Sequence, residues 1–165
     1  MGFDSTLPPF DDSRVRRAFA LATDKETLAN IDLKGSRTPS TGGFVPPGMP
    51  GYSAGIGLPY APQQARQLLA EAGYPDGRGF PAIEAHHSRT SSSVEYLQAQ
   101  WQENLGIDIA WKPLRGLPLI SAPEEERPHI FLAGWVADYP DPDSFLGQAP
   151  PSFLLHGITT ITPHW

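Results

Sequence analysis

Apolar side chains recur at helical spacing in several stretches of the chain, each bounded by residues that start or stop helices. The first stretch follows Asp11-Asp12-Ser13, which predicts an N-cap and an acidic first turn. The second stretch begins with Thr23-Asp24-Lys25-Glu26, the pattern of a capping box. The predicted inward faces are Val15, Ala18, Phe19 and Ala22 in the first helix, and Leu28, Ile31 and Leu33 in the second. Two helices joined at a corner are therefore expected.

The second half of the chain changes to a strand–helix–strand pattern. After a helix predicted over residues 62–71, residues 81–87 have strand character, residues 91–105 are helical, and residues 107–113 form a strand again. The inward face of the 91–105 helix consists of Val94, Leu97, Trp101 and Leu105. A βαβ unit nearly always joins parallel strands, and residues 129–135 supply a further buried strand for the same sheet. The pattern predicts an α/β fold with a mostly parallel sheet and flanking helices.

Residues 36–60 show neither the helical period of 3.6 residues nor the strand period of 2, and they are rich in proline and glycine. A loop of this length inside a compact domain is rare and is usually functional. Its apolar side chains favour packing onto the rest of the fold over disorder. They are Phe44, Val45, Met49, Tyr52 and Ile56.

Composition narrows the classes of function. The chain has 165 residues, enough for one domain, and no cysteine, so disulfides, thiolate metal sites and thiol nucleophiles are excluded. A net charge of −6 disfavours nucleic acid as a partner and suits cationic or ammonium-bearing ligands. The first residues lack the pattern of a signal peptide, and no window is apolar over the ~20 residues that a membrane span needs.

The segment after the last predicted strand contains the most informative pattern for function. The strand ends in Gly134-Trp135, and three carboxylates follow within a stretch of six residues: Asp138, Asp141 and Asp143. Open α/β sheets build ligand crevices at the carboxyl ends of strands, so an aromatic ring and a carboxylate delivered there predict a binding site. Sequence alone leaves open whether Trp135 belongs to the core or to a ligand platform.

The three carboxylates also have other interpretations. Acids between prolines form turns, which is the ordinary reading of such a segment. Their spacing is superficially that of a calcium loop, but the glycine and distal Glu of an EF-hand loop are missing. A carboxylate pair for glycoside hydrolysis is a third interpretation, and it requires a geometry that sequence does not show.

No other group of residues indicates catalysis. His86 and His87 are neighbours on a predicted strand, so they point to opposite faces and cannot share a metal ion. Helix capping explains the serines before the 91–105 helix, and the chain has no G-x-S-x-G elbow. We therefore expect no enzymatic activity, no cofactor and no metal site.

Four motifs occur in a characteristic order along the chain. They are Pro9-Phe10-Asp11-Asp12-Ser13-Arg14-Val15-Arg16-Arg17-Ala18, Pro46-Pro47-Gly48-Met49-Pro50-Gly51, Leu68-Leu69-Ala70-Glu71-Ala72-Gly73-Tyr74-Pro75-Asp76-Gly77, and Gly134-Trp135 with Asp138-Tyr139-Pro140-Asp141-Pro142-Asp143. In this order they resemble the C-terminal lobe of the oligopeptide- and dipeptide-binding proteins, bacterial extracellular solute-binding family 5. The resemblance covers roughly residues 8–146.

The resemblance implies a periplasmic-binding-protein-like lobe over residues 8–149, one incomplete lobe of a two-lobed clamshell, with residues 150–165 as a divergent tail. It implies an extracytoplasmic receptor that delivers short peptides or related solutes to the permease of an ABC importer. A missing N-terminal lobe is a further implied partner. In such a receptor, Asp138 would pair with the terminal ammonium of the peptide, and Gly134, Trp135 and Tyr139 would line the pocket beside it.

Two further expectations follow from a single lobe. The alternative function is a regulatory or protein-interaction module that keeps the fold and has lost closed-cleft ligand binding. An isolated lobe also exposes an apolar and aromatic face around Trp135, which is able to drive self-association.

Overall fold

The computed structural model describes residues 1–33, 39, 41–43, 45–88, 91–114, 127–133, 138–139, 141–146 and 153–154. The strands in these ranges are β1 (Gly2–Asp4), β2 (Glu84–His87), β3 (Ala110–Pro113), β4 (Ile130–Leu132) and β5 (Phe153–Leu154). The helices are α1 (Ser13–Leu21), α2 (Lys25–Leu33), α3 (Pro62–Glu71), α4 (Ser91–Leu105) and α5 (Asp143–Leu146), with a short 3₁₀ turn at Pro75–Gly77. None of the described helices is long and apolar enough to cross a membrane.

The described strands form one sheet in the order β3-β2-β4-β1-β5. Strand β2 pairs in parallel with β3 and with β4, which confirms both the predicted βαβ unit and the predicted third strand. Strand β1 pairs antiparallel with β4 and with β5, so the sheet is mixed. The expectation of a mostly parallel sheet therefore holds for β2, β3 and β4. The N-terminal strand was not anticipated, because three residues are too few to show an alternating pattern.

Helix α4 packs on the sheet through the face that its spacing predicts. Leu97 and Trp101 are fully buried, and Val94 and Leu105 are 8% and 1% exposed. The indole ring of Trp101 lies 5.9 Å from that of Trp111 on β3, in a stacked arrangement. The α/β class with helices flanking a sheet is thus confirmed.

Aromatic rings extend this core from α4 to the N-terminal strand. The ring centroid of Phe19 on α1 lies 4.9 Å from that of Trp101, and the centroid of Phe10 lies 5.3 Å from that of Phe19. Phe3 on β1 stacks on Phe10 at 4.8 Å. All four side chains are fully buried, and such pairs contribute about 0.5–1.5 kcal/mol each beyond the area they bury. Strand β1 is therefore held by packing as well as by strand pairing.

The corner between α1 and α2 follows the predicted helices, with one correction. Helix α2 begins at Lys25, and the carboxylate of Asp24 accepts hydrogen bonds from the backbone N–H groups of Glu26 and Thr27, both at 3.1 Å. Asp24 is therefore the N-cap residue. Thr23 is buried instead: its hydroxyl donates to the carbonyl of Phe19 at 2.8 Å. The same oxygen accepts the indole N–H of Trp101 at 3.0 Å, a use of Thr23 that local sequence does not reveal.

The described part of the Pro/Gly-rich loop is packed only in part, so the prediction is confirmed for two of its apolar side chains and is wrong for a third. Val45 and Met49 are buried, whereas Ile56 is exposed. Two hydrogen bonds attach the end of the loop to the helical corner. Lys25 Nζ donates to the carbonyl of Leu58 at 3.0 Å, and the backbone N–H of Ala61 donates to the carbonyl of Leu21 at 2.8 Å. Phe44 lies outside the described residues.

A buried polar cluster lies where β1, β2 and the start of β4 meet. Asp4 is fully buried; its carboxylate accepts hydrogen bonds from the backbone and hydroxyl of Thr6, and it lies 3.6 Å from a guanidinium nitrogen of Arg127. The backbone N–H of Asp4 donates to the carbonyl of His129, whose own N–H donates to the carbonyl of Glu84. Burial lowers the pKa of the His129 imidazole below its ordinary value, although the charges of Asp4 and Glu84 act in the opposite direction.

We predict that Trp101→Ala lowers the free energy of unfolding by about 3–5 kcal/mol, because a fully buried ring leaves a cavity when it is removed. Trp101→Phe is the matched control, since it keeps an aromatic ring but loses the hydrogen bond to Thr23 and part of the ring volume. It should cost less than the alanine variant. Chemical denaturation followed by circular dichroism measures both, and a loss below about 1 kcal/mol in Trp101→Ala would contradict the burial of the ring.

We also predict that protonation of His129 destabilises the fold. The pKa of His129 in the folded state lies below its ordinary value of 6.5. As the pH falls through 6.5, the unfolded chain therefore takes up a proton on this residue before the folded chain does. Stability should therefore decrease from about pH 7 towards the folded-state pKa. The pKa of Glu84 is lowered by hydrogen bonds from Lys112 and His86. Its protonation therefore lowers the free energy of unfolding only as the pH falls below about 4.5. The His129→Gln variant should flatten the first slope in urea titrations, and an unchanged slope would refute the assignment.

Candidate ligand-binding site

The candidate site lies on the segment that follows β4. This strand is central in the sheet, between β2 and β1, and its Ile130 and Leu132 are buried. Its burial makes it a rigid base for the segment that leaves its carboxyl end. Asp138 and Tyr139 are described and exposed, whereas Gly134 and Trp135 lie outside the described residues. The pocket-lining roles of Gly134 and Trp135, and the self-association attributed to the face around Trp135, remain predictions.

Hydrogen bonds within the segment fold it into a compact turn that leads into α5. The backbone N–H of Asp141 donates to the carbonyl of Tyr139 at 2.9 Å, and that of Ser144 donates to the carbonyl of Asp141 at 3.1 Å. The N–H of Asp143 donates to Oδ1 of Asp141 at 2.9 Å, which is the Asx-type interaction that starts a helix. The N–H of Asp138 donates to the hydroxyl oxygen of Ser144 at 3.1 Å. The described residues of this segment, 138–139 and 141–144, are therefore held by hydrogen bonds among their own polar groups.

The three carboxylates have different roles in this turn. Asp141 accepts the N–H of Asp143, and Asp143 accepts the hydroxyl of Tyr139 at 3.2 Å. Both are thus turn-forming acids, the ordinary interpretation of the pattern. The Asp138 side chain is exposed, and no hydrogen bond or ion pair to its carboxylate is formed by the described part of the chain. Of the three acids, Asp138 is the one whose carboxylate takes no part in the hydrogen bonds of the described turn.

The electrostatics of the turn favour a cation. Partial desolvation of this exposed ring, followed by the hydrogen bond to Asp143, raises the pKa of the Tyr139 phenol above its ordinary value, and the nearby carboxylates act in the same direction. A phenol is neutral at physiological pH even at its ordinary pKa, and the hydroxyl of Tyr139 donates to Asp143. Within the described ranges, no three His, Asp or Glu side chains are placed to hold a metal ion.

The two neighbouring histidines on β2 point to opposite faces of the sheet, because successive side chains alternate along a strand. His86 Nε2 lies 2.6 Å from a carboxylate oxygen of Glu84, two residues away on the same face of the strand. The ring of His87 faces that of Trp111 edge-on at 6.1 Å on the other face. The prediction that these two rings point to opposite faces is confirmed.

Sequence reasoning missed one residue of the candidate site. Ser144 is only 2% exposed, and it is the acceptor that holds the backbone of Asp138. The available signal was its place after Asp141-Pro142-Asp143, since an Asx turn brings the residue three positions after its first Asp back towards the incoming chain. Polar residues in such a segment are usually exposed, which is why its burial was not expected.

The family relationship is clear from comparison with known proteins. Residues 1–151 match the family model described as bacterial extracellular solute-binding proteins, family 5 (middle). The chain belongs to this family.

Relatives of known name bind different solutes. Heme-binding protein A of Haemophilus influenzae is 32% identical over 152 residues, which is 88% of this chain and 27% of that protein. Glutathione-binding protein GsiB of Escherichia coli K12 is 35% identical over 102 residues, which is 62% of this chain and 20% of that protein. The chain therefore spans about a quarter of the length of these relatives, both of which are named as binding proteins.

Solved structures share the fold. A periplasmic oligopeptide-binding protein of an ABC transporter from Borrelia burgdorferi superposes with a TM-score of 0.76 and 28% identity, over 92% of this chain and 31% of that protein. The dipeptide-binding protein of Pseudoalteromonas sp. SM9913, solved with Met-Leu, gives a TM-score of 0.73 and 25% identity over 87% of this chain and 29% of that protein. The fold of the described residues is thus that of a part of a periplasmic binding protein.

Proposed function

We propose that this chain forms part of the solute receptor of an ABC importer and that it binds short peptides or related solutes. The observation that carries this proposal is the exposed carboxylate of Asp138, which has no partner among the described residues. It stands on a turn that follows a buried central strand. A carboxylate held in this way suits a terminal ammonium, because ammonium–carboxylate hydrogen bonds are charge-assisted and short.

The relatives support a peptide-type solute as the class of ligand. Their names and structure titles include an oligopeptide-binding protein, a glutathione-binding protein and a dipeptide-binding protein with Met-Leu. Another relative is named heme-binding, so family membership by itself does not select the solute. The acidic turn favours the peptide-type ligands among these, because they carry a free amino group. In this proposal Gly134, Trp135 and Tyr139 line the pocket beside Asp138.

The implied partners complete the proposal. A second lobe covers the ligand, since a single lobe contacts only one side of it, and the closed receptor delivers the ligand to an ABC permease. Receptors of this kind act outside the cytoplasm, and the Borrelia relative is described as periplasmic. The alternative of a regulatory or interaction module finds no support in the relatives above, whose names describe solute binding.

We predict that Asp138→Asn selectively weakens the binding of peptides with a free amino terminus. The protein to test is the Pseudoalteromonas dipeptide-binding protein with its matching segment replaced by this chain, so that both lobes are present. Removing one partner of an enclosed ion pair costs about 3–5 kcal/mol, or roughly two to three and a half orders of magnitude in Kd. Calorimetric titration with Met-Leu measures this loss. N-acetyl-Met-Leu, which lacks the ammonium, should bind equally to both forms.

Asp141→Asn is the matched control for this experiment. It removes the same charge from the same turn, and the asparagine oxygen can still accept the N–H of Asp143. Met-Leu affinity should change little in this variant. Equal losses for the free and acetylated peptides in Asp138→Asn would reduce Asp138 to a residue of the turn, and the assignment of the site would fail.

The chain by itself should bind Met-Leu only weakly, with a Kd on the order of millimolar or higher, because one lobe neither desolvates the ligand nor contacts both of its sides. Titration of amide resonances in an NMR spectrum measures affinities in this range. Micromolar binding by the isolated chain would contradict the need for a second lobe.

A further inference from the structure

We propose that Ser144 is a positioning residue for the ligand carboxylate of Asp138, an inference that rests on the proposed function. The hydroxyl oxygen of Ser144 accepts the backbone N–H of Asp138 at 3.1 Å across six residues. Ser144 is 2% exposed, although it lies in an acidic and otherwise largely exposed segment. Its side chain therefore faces the backbone of Asp138 and is removed from solvent.

Ser144 is itself firmly placed. Its backbone N–H donates to the carbonyl of Asp141 at 3.1 Å, and the carboxylate of Asp141 accepts the N–H of Asp143 at 2.9 Å. Pro142 stands between these two acids and fixes its own φ near −65°. The hydroxyl is thus presented from the first turn of α5 and joins the two ends of the segment.

This contact limits where the Asp138 carboxylate can lie. An aspartate side chain has only two rotatable bonds, so fixing its backbone largely sets the reach of its oxygens. Because the hydrogen bond uses the backbone N–H, it leaves both carboxylate oxygens of Asp138 for the ligand. A carboxylate fixed before binding costs less entropy to order when the ammonium arrives. Ser144 accordingly acts on the affinity for free amines without touching the ligand.

A purely structural role for Ser144 makes a different prediction. If its hydroxyl only stabilised the turn, its loss would lower the affinity for every ligand of the pocket alike. A positioning role acts through Asp138 alone, so an acetylated peptide should not respond. The contrast between Met-Leu and N-acetyl-Met-Leu therefore separates the two roles.

Amide hydrogen exchange on the 165-residue chain tests the hydrogen bond itself. In Ser144→Ala the amide of Asp138 should exchange about three- to tenfold faster than in the wild type, the change expected for the loss of one hydrogen bond. Ser144→Thr keeps the hydroxyl and should restore slow exchange. Equal exchange of this amide in the wild type and in Ser144→Ala would overturn the inference, whatever the binding data show.

Binding is then measured in the two-lobed protein that carries this chain. Ser144→Ala should raise the Kd for Met-Leu about three- to tenfold and leave that for N-acetyl-Met-Leu unchanged. Ser144→Thr should restore the affinity for Met-Leu. Equal weakening of both ligands would show a structural role and overturn the inference.

The Asp138→Asn variant, measured alongside, separates failure of this inference from failure of the proposed function. If Asp138→Asn weakens Met-Leu and Ser144→Ala does not, the site stands and the role of Ser144 is refuted. If Asp138→Asn leaves Met-Leu binding unchanged, the proposed site fails and the inference about Ser144 fails with it.

Discussion

The packing of helices against the sheet depends on the buried indole of Trp101. It packs edge-on against Phe19 of α1, stacks on Trp111 of β3, and donates its N–H to Thr23 at the corner between α1 and α2. One side chain of α4 thus contacts helix α1, strand β3 and the corner that follows α1. Its single polar atom is satisfied in the interior, so the packing is obtained without the penalty of a buried unpaired donor.

The packed sheet makes β4 a rigid support for the acidic turn that comes after it in the chain. Strand β4 lies between a parallel and an antiparallel neighbour, so both of its edges are paired. The turn that follows is then ordered by its own hydrogen bonds, which use the carboxylates of Asp141 and Asp143. The turn holds Asp138 through its backbone N–H, and the described residues form no hydrogen bond with its carboxylate. In the proposed site, Asp141 and Asp143 stabilise the turn and Asp138 contacts the ligand.

The same fold serves relatives that are named for heme, glutathione and peptides. A scaffold shared by such different solutes does not select among them, since selection depends on the side chains around the cleft. The chain spans about 30% of the solved receptors it superposes on, so most of each receptor's surface lies in other segments.

The sequence by itself determined helices α1 to α4, the βαβ unit and the position of the acidic turn, because hydrophobic periodicity and capping residues are local signals. Helix α4 and its buried face match the pattern residue by residue. Tertiary structure decided that β1 joins the sheet antiparallel, since a three-residue strand is defined by its partners. It also placed the hydroxyl of Thr23 in the core instead of at a helix cap, and it brought the carboxylate of Asp141, but not that of Asp138, into a hydrogen bond of the turn. Hydrogen-bond partners are chosen by proximity in space, which composition and spacing along the chain do not specify.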